Sequence, residues 1–89
     1  MNDTTMLEML KIDLGISTTA YDNRLTQYLN SAKEYITAEG VTLDSEIVSD
    51  MNLVVMYAAW LWRKRDTNEP MPRMLRWNLN NRLFYEKAD

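Results

Sequence analysis

The sequence predicts an all-α protein, a small four-helix bundle with a central, nearly fully apolar third helix. Three observations carry that prediction. Only two glycines and two prolines occur in 89 residues, too few for the many turns of an all-β fold. Apolar residues recur at i, i+4, i+7 and i+8 in the second quarter of the chain, the period of an amphipathic helix. Leu53 to Trp62 then runs ten residues without a charge or polar break and stops at Arg63-Lys64-Arg65. That run is shorter than the roughly 20 residues a bilayer span needs. It reads as a buried helix of a small domain, and residues 1–89 as one such domain.

The first helix is expected near residues 5–14. Thr5 and Glu8 have the spacing of a capping box, in which a hydroxyl and a carboxylate each satisfy an orphan amide. Leu7, Leu10 and Leu14 fall on one side, and Gly15 suits the left-handed stop. Ser17, Thr18 or Thr19 would cap the second helix, near residues 20–39, which Gly40 ends. Its stripe is Tyr21, Leu25, Tyr28, Leu29, Ala32, Tyr35 and Ile36. The three tyrosines are read as core rings with their hydroxyls at the rim, and not as a ladder for stacking bases or sugars.

The third helix is expected near residues 45–65, capped by Asp44 or Ser45, with Glu46 in its first turn and the basic trio in its last. At 100° per residue it has two apolar faces. One holds Ile47, Met51, Val54, Val55, Ala58, Leu61 and Trp62; the other holds Leu53, Met56, Tyr57 and Trp60. A helix apolar nearly all round needs cover nearly all round, from the bundle or from another subunit. The fourth helix is expected near residues 72–84, with Pro72 at its first position and Leu75, Leu79 and Leu83 as its stripe. Met74, Trp77, Phe84 and Tyr85 add more apolar surface than one contact face requires.

Composition excludes most chemistry. Without histidine or cysteine the chain lacks the usual general base, the commonest metal ligand and any thiolate. No glycine-rich phosphate loop occurs, and Ser17, Ser31, Ser45 and Ser49 have no histidine to activate them. Glu34 and Glu39, and Asp44, Glu46 and Asp50, lack a metal-loop spacing and read as solvated faces and caps. Catalytic, cofactor and metal residues are therefore expected to be none, and the protein not an enzyme. The start Met-Asn-Asp-Thr-Thr has no basic flank or apolar run of a signal peptide.

The net charge is −3, against a nucleic-acid binder as a whole. Residues 1–50 carry nine acids and three bases, while residues 51–89 carry four acids and seven bases. Such a split suits polar head-to-tail contacts. Arginines interleaved with aromatics have the composition of a protein interface centre. The candidate interface residues are Leu53, Met56, Tyr57, Trp60, Arg73, Arg76, Trp77, Arg82, Phe84 and Tyr85, with the arginines expected to meet an acidic surface of a neighbouring copy or a partner. The competing reading is a small DNA-binding regulator using Arg73, Arg76 and Arg82 on a recognition helix. Against it, the turn from Asp66 to Met71 is long for a helix-turn-helix, and the acidic half repels DNA.

The opening Leu7-Glu8-Met9-Leu10-Lys11-Ile12-Asp13, the helix from Tyr21 to Ile36, the apolar helix ending Trp62-Arg63-Lys64-Arg65 and the closing Pro72 to Leu83 segment together resemble a family. They are similar to the small head–tail connector proteins of tailed bacteriophages and prophages, also called head-completion or adaptor proteins. The chain departs from that pattern in its short loop before the third helix and its short tail after the fourth. The resemblance implies a structural virion protein whose helical protomers form a ring of about a dozen copies. It implies a place in the virion neck beneath the portal, after assembly in the host bacterial cytoplasm. It further implies contacts with the portal protein and a downstream head-completion or tail protein. DNA would pass only as cargo, no cofactor would be used, and no membrane would be touched.

Overall fold

The computed structural model describes residues 3–44 and 46–87 and is built of four helices in those residues. They are α1 (Asp3–Leu14), α2 (Asp22–Ala38), α3 (Val48–Thr67) and α4 (Arg73–Lys87). The all-α, four-helix expectation holds. The largest packing surface lies between α2 and α3, followed by α1 on α3, α1 on α2 and α4 on α3. Every other helix therefore packs against α3, which explains why its sequence is apolar on several sides.

The core is drawn from all four helices. Met6 and Leu10 come from α1, and Leu25, Leu29, Ala32 and Ile36 from α2. From α3 come Leu53, Val54, Val55, Tyr57, Ala58, Ala59 and Leu61, and from α4 Leu75 and Leu79. Val41, in the loop after α2, is also buried. Both faces of α3 are covered within the chain. Leu53 and Tyr57, assigned from sequence to a face awaiting a partner, keep only 3% and 6% of their surface. Met56 and Trp60 are half-buried.

Helix termini follow geometry more than the expected caps. α1 begins at Asp3, so Thr5 lies inside the helix and not at its cap. Thr18 accepts from the Ala20 amide at 3.2 Å, a local turn that delays the start of α2 to Asp22. Tyr21 holds the N-cap position with no side-chain bond. Gly15 and Gly40 take positive φ, +72° and +110°, as expected of glycine stops. α3 starts at Val48 behind an extended Ile47, later than expected. Asp44 caps a turn instead, its side chain accepting from the Glu46 amide at 2.9 Å; Ser45 lies outside the described residues. α3 ends on Asn68, in the left-handed region at φ 56°, whose amide donates to the Lys64 carbonyl. Pro72 sits at the cap of α4, its carbonyl accepting from the Arg76 amide at 3.1 Å.

Two of the three tyrosines on α2 are more exposed than a core stripe requires, Tyr21 at 49% and Tyr35 at 52%. They flank the α2–α3 seam as an aromatic ridge. Tyr21 and Tyr28 both meet Trp62 edge-on with centroids 5.7 Å away, and Tyr35 stacks on Tyr57 at 6.0 Å. Ile47, expected in the core, is 42% exposed because it precedes the helix.

Candidate functional site

α4 has two faces with different chemistry. Leu75, Leu79 and Leu83 repeat every four residues and turn toward α3. Arg76 and Arg82 fall on either side of that stripe, so their stems lie along the seam and their heads reach its two rims. At one rim Arg76 Nη1 donates to Glu39 Oε1 at 2.9 Å. At the other, Arg82 Nη2 donates to Asp50 Oδ2 at 3.1 Å and to the Thr42 carbonyl at 2.9 Å. Glu86 completes this second cluster, accepting from the Thr42 amide at 2.9 Å and lying 3.6 Å from Arg82.

Asp50 is the centre of that cluster and corrects its reading as a solvated helix face. It is fully buried. It occupies the first turn of α3, where the helix dipole favours an anion. Its Oδ2 also accepts from the Asp44 amide at 2.8 Å. Asp50 thus ties the α2–α3 loop, the start of α3 and the end of α4 together. Sequence reasoning missed it, although one signal existed: Arg82 lies three residues past Leu79, at the border of the buried face.

The acidic partners of Arg76 and Arg82 are therefore found in the chain's own first fifty residues, where a neighbouring copy or partner had been expected to supply them. Arg73 is exposed and makes no ion pair among the described residues. Trp60 is held locally, its Nε1 donating to the Glu69 carbonyl at 3.1 Å beneath the Lys64 ammonium. Near it, burial pushes the Tyr57 hydroxyl above its usual range, with Glu39 adding to the effect.

The opposite face of α4 carries Met74, Trp77, Phe84 and Tyr85, exposed to 61%, 61%, 76% and 74%. Their spacing of three, seven and one places them, with Asn81, on a single stripe about 180° from the leucines. The sequence supplied these residues as surplus; the helix aligns them. Met71, Met74 and Trp77 line a shallow hollow of ≈ 640 Å³ edged by Arg73, Arg76 and Asn80. A second groove of ≈ 370 Å³ runs between α3 and α4, lined by Asn52, Met56, Asn78, Asn81, Arg82 and Tyr85 among others.

Among the described residues no group of three or more His, Cys, Asp or Glu side chains is placed to hold a metal. No helix among them is long and apolar enough to cross a membrane. Fold and surface define a class: a small all-α domain whose distinctive chemistry lies on an outward aromatic helix face. A family model described as Phage gp6-like head-tail connector protein matches residues 4–75. The match covers most of the chain, which belongs to that family of phage head–tail connectors, a family of structural proteins. No curated protein and no solved structure matches it. The matched residues end at Leu75, so most of α4 lies beyond the family pattern.

Proposed function

We propose that the protein is a ring-forming connector protomer. Copies assemble, about a dozen to a closed cyclic ring, beneath the portal of a filled capsid and extend the DNA channel toward the tail. The observation that carries this reading is the outward stripe of α4, read in a chain of the head–tail connector family. Three large rings held out of the core form one apolar patch of the size that is often functional on a protein surface. Trp77, Phe84 and Tyr85 are its anchors, with Arg73 at the edge. Met56 and Trp60 add the half-buried margin of α3, while Leu53 and Tyr57 lend support from beneath.

Partners on this reading are other copies, the portal protein and a downstream head-completion or tail protein, with DNA as passing cargo. An acidic chain makes a channel that does not grip the duplex. The DNA-regulator reading is weakened because Arg76 and Arg82 spend their charge on Glu39 and Asp50. The test is negative-stain imaging of concentrated protein, with and without portal, beside a duplex gel shift at about 150 mM salt. Rings, alone or on the portal, with no tight DNA complex, are expected. A monomeric protein that binds duplex tightly, and loses that binding on Arg73→Glu, would replace the connector reading by the regulator.

A further inference from the structure

Among the described residues the apolar side chain most exposed relative to its own surface is not on α4. It is Ile12 on α1, at 79%. Glu8, one turn earlier on the same face, is exposed, and so is Asp13 beside it. Neither acid takes part in an ion pair among the described residues; Lys11 between them pairs inward with Asp22 at 2.8 Å. α1 thus offers a single aliphatic knob with the unpaired Glu8 on its face, while Asp13 turns into a groove that Arg63 and Pro72 also line. α4 offers the reverse, an apolar hollow of Met71, Met74 and Trp77 edged by Arg73 and Arg76.

We propose that Ile12 of one copy seats in the Met71–Met74–Trp77 hollow of the next, with Glu8 facing Arg73. Phe84 and Tyr85 continue the contact along α4. This rests on the ring reading above and assigns its two patches. Three arguments favour a second copy as the occupant. The charges complement each other: the unpaired Glu8 stands beside the knob, and the hollow is edged by the unpaired Arg73 and the half-exposed Arg76. The areas fit: the three rings of α4, at 150–250 Å² each when fully exposed, present roughly 400 Å². That is about half of the ~800 Å² each side gives a standard interface, so α1 and its flanks must add the remainder. The two patches are also different surfaces of one chain. Their pairing is heterologous, and repetition of one such contact generates a ring when the rotation closes. An isologous pairing of α4 with α4 would instead bring Arg73 and its like to the same side and stop at a dimer.

Two surface variants decide the matter by mixing. Ile12→Glu removes the knob and Trp77→Glu spoils the hollow, and neither position is part of the core. Circular dichroism should show both folded. Wild type at high concentration should form assemblies larger than a dimer by light scattering. Each variant alone should lose them, with self-association weakened roughly tenfold to a hundredfold, the worth of one buried large apolar side chain. Mixed in equal amounts, each variant still carries one intact patch. The mixture should yield a heterodimer that cannot grow. Charge reversal provides the finer check: Glu8→Arg and Arg73→Glu should each weaken assembly by setting like charges face to face, and their mixture should regain it, because every contact between the two variants joins opposite charges.

If wild type assembles but Ile12→Glu assembles equally well, the knob assignment is wrong while the ring reading stands. If only Trp77→Glu matters and mixing restores nothing, α4 pairs with α4. If wild type stays monomeric alone and Trp77→Glu loses portal capture, the hollow belongs to the portal and not to a second copy. If wild type neither self-assembles nor binds portal, ring and knob fall together.

Discussion

The two seams of α3 are built from different materials. Against α2 it packs Val54, Ala58 and Leu61 onto Leu25, Leu29, Ala32 and Ile36, under a ridge of Tyr21, Tyr28, Tyr35 and Trp62. Against α4 it meets two buried leucines, and the rims are closed by Arg82 on Asp50 of α3 and by Arg76 on Glu39 at the end of α2. Area burial is nondirectional and, unlike an ion pair, is not screened by simple salt such as sodium chloride. Charged clasps are directional and costly to leave half-made. The first seam makes the domain stable; the second fixes where α4 lies and which way its aromatic stripe points. If copies meet through the outward face of α4, as proposed, that orientation matters more than further stability.

The first seam should respond to mutation without regard to ionic strength. Leu29→Ala should cost roughly 3–4 kcal/mol, the range for a fully buried leucine, and the loss should be the same at low and high salt in urea melts. A strongly salt-dependent loss would show that the α2–α3 seam is not the apolar one. At the second seam, Arg82→Ala should cost roughly 2–3 kcal/mol, because Asp50 is left buried with one amide for a partner. Asp50→Ala with Arg82→Ala should cost less than the two single changes summed. Strict additivity in the cycle would mean that the ion pair contributes nothing.

A smaller effect, roughly 1–2 kcal/mol, is expected from Gly40→Ala. Gly40 has φ +110°, and an added Cβ would stand 3.3 Å from Leu83 Cδ2. That change presses on the second seam from the loop side and should loosen hydrogen-exchange protection in α4 before α2. The smallest effect concerns alkali. The Tyr57 hydroxyl is raised chiefly by burial, so its neutral form is favoured in the folded state. Its contribution is complete below the unfolded tyrosine value, about 10, and is lost as pH rises through the folded value. Stability should therefore begin to fall above about pH 10, less steeply in Tyr57→Phe. Equal slopes in the two proteins would discount Tyr57.

Much of this was legible in the chain and some was not, for identifiable reasons. The apolar run 53–62 announced a central helix because only burial on several sides tolerates it. Gly15 and Gly40 marked helix ends because a left-handed turn excludes most other residues. The start of α3 was missed because Asp44 can cap a turn as easily as a helix, and the loop used it for the turn. The burial of Asp50 was hidden because its partner lies 32 residues away, beyond any local pattern. Of the candidate site, Trp77, Phe84 and Tyr85 stood out as surplus apolar residues. That they share one face opposite the leucines follows from the helix phase, while the exposure of Ile12 follows only from how α1 is rolled against its neighbours.

The link from α3 to α4 has a mechanical consequence. Asn68 turns left-handed, Pro70 and Pro72 stiffen the strap, and Trp60 holds it at the Glu69 carbonyl. Any swing of α4 therefore pivots near its start, and the helix behaves as an arm roughly 22 Å long at 1.5 Å per residue. Arg76 acts on that arm about 5 Å from the pivot and Arg82 about 14 Å from it. For equal bond strength the Asp50 clasp has nearly three times the turning moment of the Glu39 bond, and Glu86 on the Thr42 amide, farther out still, works on the same side as Asp50. A rotation of only about 10° would carry Phe84 roughly 3 Å, since it sits about 17 Å out. The cluster around the carboxylate hidden at the base of α3 thus sets the aim of rings at the far end of α4.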